Sequence, residues 1–265
     1  MTDSTSRRAL VTGAGKRLGR AMALELARQG CDVAVHYGSS KDAAEEVAGL
    51  IRDMGRRACT LQADLLQEAS VQALLPAAAE GLGGPVHVLV NNASIFEHDS
   101  FGDATRESWD RHMESNLRAP FVLTQALAAQ IPDPVPDENH EPVAQGLVVN
   151  MIDQRVRKLT PDFASYTIAK MGLWAMTRTA AQALAPRVRV NAIGPGPTMQ
   201  SIAQTGDKFT SQRQRTMLQR GANQSDITGA LVYFLQSPAI TGQLLCVDGG
   251  QHLAWQTPDV VGVDL

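Results

Sequence analysis

Short apolar runs alternate along the chain with longer segments in which apolar residues recur every three or four positions. The apolar runs lie at 9–11, 32–36, 57–62, 86–90, 147–150, 187–193 and 244–247. Runs of this kind, apolar throughout rather than at every second position, suit strands buried on both faces. The segments at 20–29, 41–54, 70–80, 120–130, 166–184 and 225–235 carry their alanines and leucines at helical spacing. Seven strands alternating with helices predict an α/β fold, a doubly wound parallel sheet with helices on both faces. No internal repeat or long linker interrupts the pattern, so residues 1–265 read as a single domain.

Two stretches break the rhythm. Residues 131–145 hold Pro132, Pro134, Pro136 and Pro142 among acidic residues. That proline density stops a helix and predicts a surface loop, read as a tolerated insertion. Residues 194–221 begin Gly-Pro-Gly-Pro and continue polar and poorly periodic. A long excursion after a late strand predicts a substrate lid.

Composition narrows the functional classes. At 44% hydrophobic and 19% charged, the 265 residues have the balance of a folded globular chain. A formal net charge of -3 argues against nucleic acid as the main partner. No apolar run is long enough to span a membrane. The polar segment 1–8 has no apolar stretch behind it, which argues against a secretory signal. Cys31, Cys59 and Cys246 are scattered without metal-ligand spacing and read as small buried hydrophobes, as in a reducing cytoplasm.

The first strand runs into Thr12-Gly13-Ala14-Gly15-Lys16-Arg17-Leu18-Gly19, and a helix follows. Glycines at a strand-to-helix turn let backbone amides approach a pyrophosphate, and the helix N-terminus adds partial positive charge. The end of the second strand then selects the dinucleotide. Folds that take NAD place a carboxylate there for the ribose 2′-hydroxyl. Here the chain reads Val35-His36-Tyr37-Gly38-Ser39-Ser40-Lys41, with no carboxylate. The hydroxyls of Ser39 and Ser40 and the guanidinium of Arg17 suit a 2′-phosphate, so the expected cofactor is NADPH. Ser39 or Ser40 could equally cap the helix that follows. Asp64 and Leu65 follow the third strand, where Asp64 either caps the next helix or meets the adenine edge. Asn91-Asn92-Ala93-Ser94 follows the fourth, at the strand end that faces a ligand crevice.

The fifth strand ends Val149-Asn150-Met151-Ile152-Asp153, and Tyr166 comes thirteen residues after Asp153. Tyr166 and Lys170 are four apart and share a helix face. An ammonium beside a phenol favours the phenolate and lowers its pKa, so the pair can move a proton during hydride transfer.

The glycine turn, the Asn-Asn-Ala-Ser element, the fifth strand and Tyr-x-x-x-Lys, in this order, resemble the short-chain dehydrogenase/reductase superfamily, through to Val247-Asp248-Gly249-Gly250. The resemblance implies a Rossmann-like fold and assigns Asn116 as a relay asparagine, Tyr166 as acid/base and Lys170 as ribose anchor and modifier of Tyr166. It places Pro195 and Gly196 beside the nicotinamide and the following excursion as the substrate loop. It also implies a homotetramer, which fits helices at 120–130 and 166–184 that are apolar on more than one face.

Two positions depart from the common pattern. Arg17 stands where most of the family has a glycine, and Asp153 where most have a serine. A carboxylate donates no hydrogen bond to a substrate carbonyl unless protonated, which weakens an ordinary ketone reductase reading. Both departures resemble the pteridine and dihydromonapterin reductases of the superfamily. That group's pattern implies Asp153 working with Tyr166 in proton delivery, Phe96 stacking on the pterin, Ser94 hydrogen-bonding it, and Arg17 serving cofactor phosphate and substrate. The Lys16-Arg17-Leu18-Gly19 and His36-Tyr37 stretches look like that group as well. The alternative is a carbonyl reductase of the 3-oxoacyl type, in which Asp153 is a helix cap or an ion-pair partner of Arg155 or Arg157. The tail 251–265, with His252 and Trp255, is long; in the resembling group such tails can border a neighbouring active site.

Overall fold

The computed structural model describes residues 7–200, 206–257 and 260–261. The elements alternate in chain order: β1 (Arg8–Val11), α1 (Arg17–Arg28), β2 (Asp32–Tyr37), α2 (Lys41–Asp53), β3 (Ala58–Gln62), α3 (Glu68–Leu82) and β4 (Val88–Asn91). Then come α4 (Arg106–Met113), α5 (Ala119–Gln130), β5 (Val135–Pro136), β6 (Pro142–Val143), β7 (Gly146–Met151), α6 (Ala164–Leu184), β8 (Val188–Pro195), α7 (Gly206–Gln214), α8 (Gln224–Gln236) and β9 (Leu244–Val247).

Seven strands form one sheet in the order β3-β2-β1-β4-β7-β8-β9, with parallel neighbours throughout. Apolar side chains drive this on both faces. Met22, Leu26, Ile51 and Phe234, from α1, α2 and α8, pack on one face, and Leu74, Leu75, Leu123 and Leu127, from α3 and α5, on the other. Each is almost fully buried, a contribution of about 1.5–3 kcal/mol per side chain. The strand order reverses between β1 and β4. A parallel sheet opens a crevice at the carboxyl ends of its strands where the order reverses. The glycine turn after β1 and the Asn-Asn-Ala-Ser element after β4 meet there.

The structure revises three expectations. The proline-rich segment is not plain loop. Val135–Pro136 and Pro142–Val143 pair antiparallel in a separate two-stranded ribbon. Proline is compatible with such an edge, where its missing N–H is not needed by a neighbour. Between the fourth and fifth main strands the sequence pattern found one helix, but α4 precedes it. A π-helical turn at Glu114–Arg118 then leads from α4 into α5. The excursion at 194–221 starts later than expected, because β8 continues through Gly194 and Pro195. Part of it is helical, as α7, and 201–205 lie outside the described residues. Arg213 holds its two ends together, donating from Nη1 to the carbonyls of Pro197 (2.8 Å) and Ala222 (2.6 Å), and from Nη2 to Gly221 (3.0 Å).

Among the described residues, no helix is long and apolar enough to cross a membrane. The three cysteines are free; Cys31 is buried, while Cys59 and Cys246 are only half-buried.

Candidate active site

The crevice is a cleft of about 500 Å³. One wall is the turn between β1 and α1, with Gly13, Lys16, Arg17, Leu18 and Gly19. Gly13 has φ +62°, a left-handed conformation that glycine adopts without strain. Gly19 is required for a different reason. A Cβ there would lie 2.2 Å from the Gly13 carbonyl oxygen, so any side chain would push the first helical turn off the loop. Arg17 also has positive φ, +53°. Its guanidinium reaches across the cleft mouth and donates to the carbonyls of Gln200 (2.9 Å) and Met199 (3.2 Å), at the start of the excursion.

The turn is braced by His36. Its Nδ1 accepts from the Gly13 N–H at 3.0 Å, so Nε2 carries the proton and donates to the Ala63 carbonyl at 3.1 Å. Burial holds its pKa below the ordinary histidine value, which keeps the ring neutral as this pairing needs. His36 was expected among the cofactor contacts. The structure gives both of its ring nitrogens partners within the protein. Tyr37 is likewise buried and absent from the cleft lining.

The floor comes from β4 and the residues after it. Asn92, Ala93, Ser94 and Phe96 line the cleft, whereas Asn91 is buried beneath it and donates to Asn150 Oδ1 at 2.8 Å. Asn92 ties the floor to the turn by donating to the Thr12 carbonyl at 2.8 Å. Asn116 sits in the π-helical turn, fully buried. Its Oδ1 accepts from the Ile95 N–H (2.9 Å) and its Nδ2 donates to the Ile95 carbonyl (2.8 Å). Its amide thus clamps the loop that leads to Phe96. Ser94 is exposed, its hydroxyl 3.3 Å from the Ile95 carbonyl. Ser39, Ser40, Asp64 and Leu65 lie outside this cleft. Ser40 is the N-cap of α2 but makes no side-chain capping bond. The Asp64 carboxylate accepts from the Leu66 N–H at 3.0 Å, closing its own turn.

The opposite wall carries the titratable groups, with Met151, Ile152, Asp153, Tyr166, Lys170, Pro195 and Gly196. The first turn of α6 and the end of β7 bring Tyr166 to Asp153, and the phenol donates to Asp153 Oδ2 at 3.0 Å. The other oxygen, Oδ1, accepts from the Arg155 N–H at 2.8 Å. Asp153 is therefore both a helix cap and a partner of the tyrosine. Lys170 Nζ donates to the Met151 carbonyl at 2.8 Å and lies 5.6 Å from the Tyr166 ring centre.

Burial dominates the electrostatics here. It raises the Asp153 carboxyl above the ordinary range against the opposing pull of the Arg155 N–H, the Arg155 charge, the Tyr166 hydrogen bond and Lys170. It lowers Lys170 to about 8, with Asp153 resisting. It raises the Tyr166 phenol well above the usual value, and the Asp153 charge adds to that rise. The expected lowering of the phenol by Lys170 is thus reversed in this arrangement. Desolvation of the buried phenol is the largest cause, and the neighbouring carboxylate adds to it.

Phe96 completes the site. Its ring stacks on Phe163 at 4.3 Å and 9°, and meets Tyr166 edge-on at 4.7 Å. It remains 48% exposed and lines the cleft together with Tyr166.

The lining fits a phosphate-bearing dinucleotide on one side and a flat ring on the other. Glycines and the α1 N-terminus supply amides, Lys16 and Arg17 supply charge, and no carboxylate lines the turn. Comparisons with known proteins agree with this layout. The family model described as enoyl-(acyl carrier protein) reductase matches residues 13–252. A 3-oxoacyl-[acyl-carrier-protein] reductase of Staphylococcus epidermidis is 31% identical, over 92% of this chain and 98% of that one. The crystal structure of FolM alternative dihydrofolate reductase 1 from Brucella suis, in complex with NADP, is 44% identical with a TM-score of 0.89. It covers 96% of this chain and 98% of that chain. The landomycin C-6 ketoreductase LanV, with bound NADP and rabelomycin, is 30% identical with a TM-score of 0.81. It covers 94% of this chain and 98% of that chain.

Proposed function

We propose that this chain, which belongs to the short-chain dehydrogenase/reductase superfamily, uses NADPH to reduce a C=N bond of a pterin. The observation that carries the reading is the pairing of Tyr166 with Asp153 at 3.0 Å beside the half-exposed Phe96 ring. A serine in place of Asp153 would donate to a ketone oxygen. A buried carboxyl in contact with the phenol instead suits proton delivery to a ring nitrogen.

Bound NADPH supplies the hydride. Gly13, Lys16, Arg17, Leu18 and Gly19 would hold its pyrophosphate, Pro195 and Gly196 would border the nicotinamide, and Lys170 would anchor the ribose. Ser39 and Ser40 lie toward the 2′-phosphate in this reading. Phe96 stacks one face of the pterin, with Ser94 and Arg17 at its edge. As the carbon gains the hydride, Tyr166 Oη gives its proton to the adjacent nitrogen. Water then returns a proton to the phenolate by way of Asp153, an acceptor at rest whose carboxyl, raised by burial, takes up a proton more readily than an exposed one. The 44% identical dihydrofolate reductase structure supports a pterin substrate.

A 3-oxoacyl or small-ketone reductase is the second reading, favoured by the 31% identical relative. NADPH oxidation measured in parallel with dihydrobiopterin, dihydromonapterin, dihydrofolate and an acetoacetyl thioester separates the two. Turnover on the thioester with none on any pterin overturns the first. The same reading includes one dinucleotide-binding and catalytic domain, with 194–221 as its lid, acting in the reducing cytoplasm. It also includes a homotetramer packed through the exposed Phe121 of α5 and Ile168 and Met171 of α6, tested by sedimentation mass.

A further inference from the structure

One buried polar cluster lies beside the site and takes no part in the chemistry above. Asp99, His112 and Ser165 are 3%, 0% and 1% exposed. They come from three separate places: the loop that carries Phe96, helix α4, and the first turn of α6. Their hydrogen bonds form an ordered chain. His112 Nε2 accepts from the Glu97 N–H at 3.2 Å, so the ring proton sits on Nδ1. Nδ1 donates to Ser165 Oγ at 2.7 Å, and that hydroxyl donates to Asp99 Oδ2 in a short bond. Ser108 Oγ donates to the same oxygen at 3.1 Å.

Asp99 also completes the start of α6. Helix N-termini leave N–H groups without intrahelical partners. Phe163, the N-cap, has φ +59° and makes no side-chain capping bond. The Asp99 carbonyl accepts from the N–H groups of Phe163 (2.8 Å) and Ala164 (3.2 Å), and Asp99 Oδ1 accepts from the Ser165 N–H (3.2 Å). Burial raises the Asp99 pKa, but donation from Ser165 and Ser108 outweighs it and holds the carboxyl below its usual value. An ionised carboxylate at the N-terminus of a 21-residue helix is further favoured by the helix dipole.

The residues gripped this way are those that shape the reaction. Phe163 backs the Phe96 ring, Ser165 precedes Tyr166, and His112 meets the Tyr166 ring edge-on at 6.0 Å. We propose that Asp99 is a positioning residue, which through Ser165, Phe163 and His112 sets the phenol of Tyr166 against the half-exposed Phe96 ring. It rests on Tyr166 as the proton donor and holds whichever substrate is reduced.

The chain has three tyrosines, Tyr37, Tyr166 and Tyr233, so 3-fluorotyrosine labelling yields three fluorine resonances. Tyr166→Phe and Tyr233→Phe assign them. In Asp99→Asn the carboxamide keeps one acceptor and turns a donor toward Ser165. The Tyr166 resonance is expected to shift or broaden in the full chain, while the other two stay. Turnover on the best substrate of the panel falls roughly 10- to 100-fold with NADPH KM held within about twofold. Ser165→Ala gives the same pattern and Ser165→Thr restores it, which keeps the test open if Asp99→Asn folds poorly. An unmoved Tyr166 resonance with unchanged turnover, even at a lowered Tm, overturns the proposal, and so does an equal shift of all three resonances. The fluorine readout is taken without substrate, so an error in the pterin assignment leaves it standing.

Discussion

Asp153→Asn tests the proton path most directly. The carboxamide is close to isosteric and can keep its oxygen on the Arg155 N–H, now accepted at 2.8 Å. Its NH2 group then faces Tyr166 Oη, which at present donates to Asp153 Oδ2 at 3.0 Å. Two donors meet there, and the phenol must turn its hydrogen away. A hydrogen bond to a charged group is worth about 1.5–3 kcal/mol. If the transition state uses all of it, turnover drops by roughly 10- to 150-fold. The glycine turn and its brace are untouched, so NADPH affinity stays within about twofold. Steady-state NADPH oxidation at saturating cofactor reads the first effect and fluorescence titration the second. The Asp153 charge helps to hold the phenol high, so its removal lowers the Tyr166 pKa, seen as an earlier rise in phenolate absorbance with pH. Wild-type turnover together with an unmoved phenol titration would remove Asp153 from the mechanism.

Tyr166→Phe removes the proton donor and costs about 10²- to 10⁴-fold in turnover at unchanged NADPH affinity, and a near-wild-type rate refutes the acid/base assignment. Phe96→Ala removes a stacking face worth about 0.5–1.5 kcal/mol and raises the pterin KM roughly two- to tenfold, with NADPH KM as the control. Acid stability follows from the buried histidines. Burial lowers the pKa of His36, His87 and His112, with the Arg8 and Arg7 charges adding to the fall at His87. Their neutral forms stabilise the fold above about pH 6.5, the unfolded value, and that stability is lost as pH falls through the lowered folded values. Denaturant unfolding of the cofactor-free protein between pH 7 and pH 5 should show the loss, with a shallower slope in His36→Gln. An identical slope in that variant would contradict the assignment of His36.

The sheet was readable because its strands are apolar without interruption and each is followed by a helix-period segment. Asp153, Tyr166 and Lys170 were readable from their spacing just past β7 and along the start of α6. What escaped was polar and non-local. Asp99 and Ser165 are 66 positions apart, and no periodicity links a loop aspartate to a helix start. His36 stood in a recognisable stretch, but only the folded chain shows its two nitrogens bound to Gly13 and Ala63. The π-helical turn at Glu114–Arg118 has ordinary helix-forming residues and no local signal. The proline-rich ribbon was hidden because proline opposes strands in general and is compatible only with edges such as this one.

The brace at His36 limits how cofactor preference could be engineered. Converting such a site to NADH means bringing a carboxylate to the end of β2, and position 36 is an obvious target. An aspartate there would set an acceptor toward the Ala63 carbonyl, itself an acceptor, and would not span to Gly13 as the ring does. The change would loosen the glycine turn after β1, and on the proposed reading, in which that turn holds the pyrophosphate, affinity for both dinucleotides would fall together. A redesign has to work at 38–41 and leave the imidazole in place.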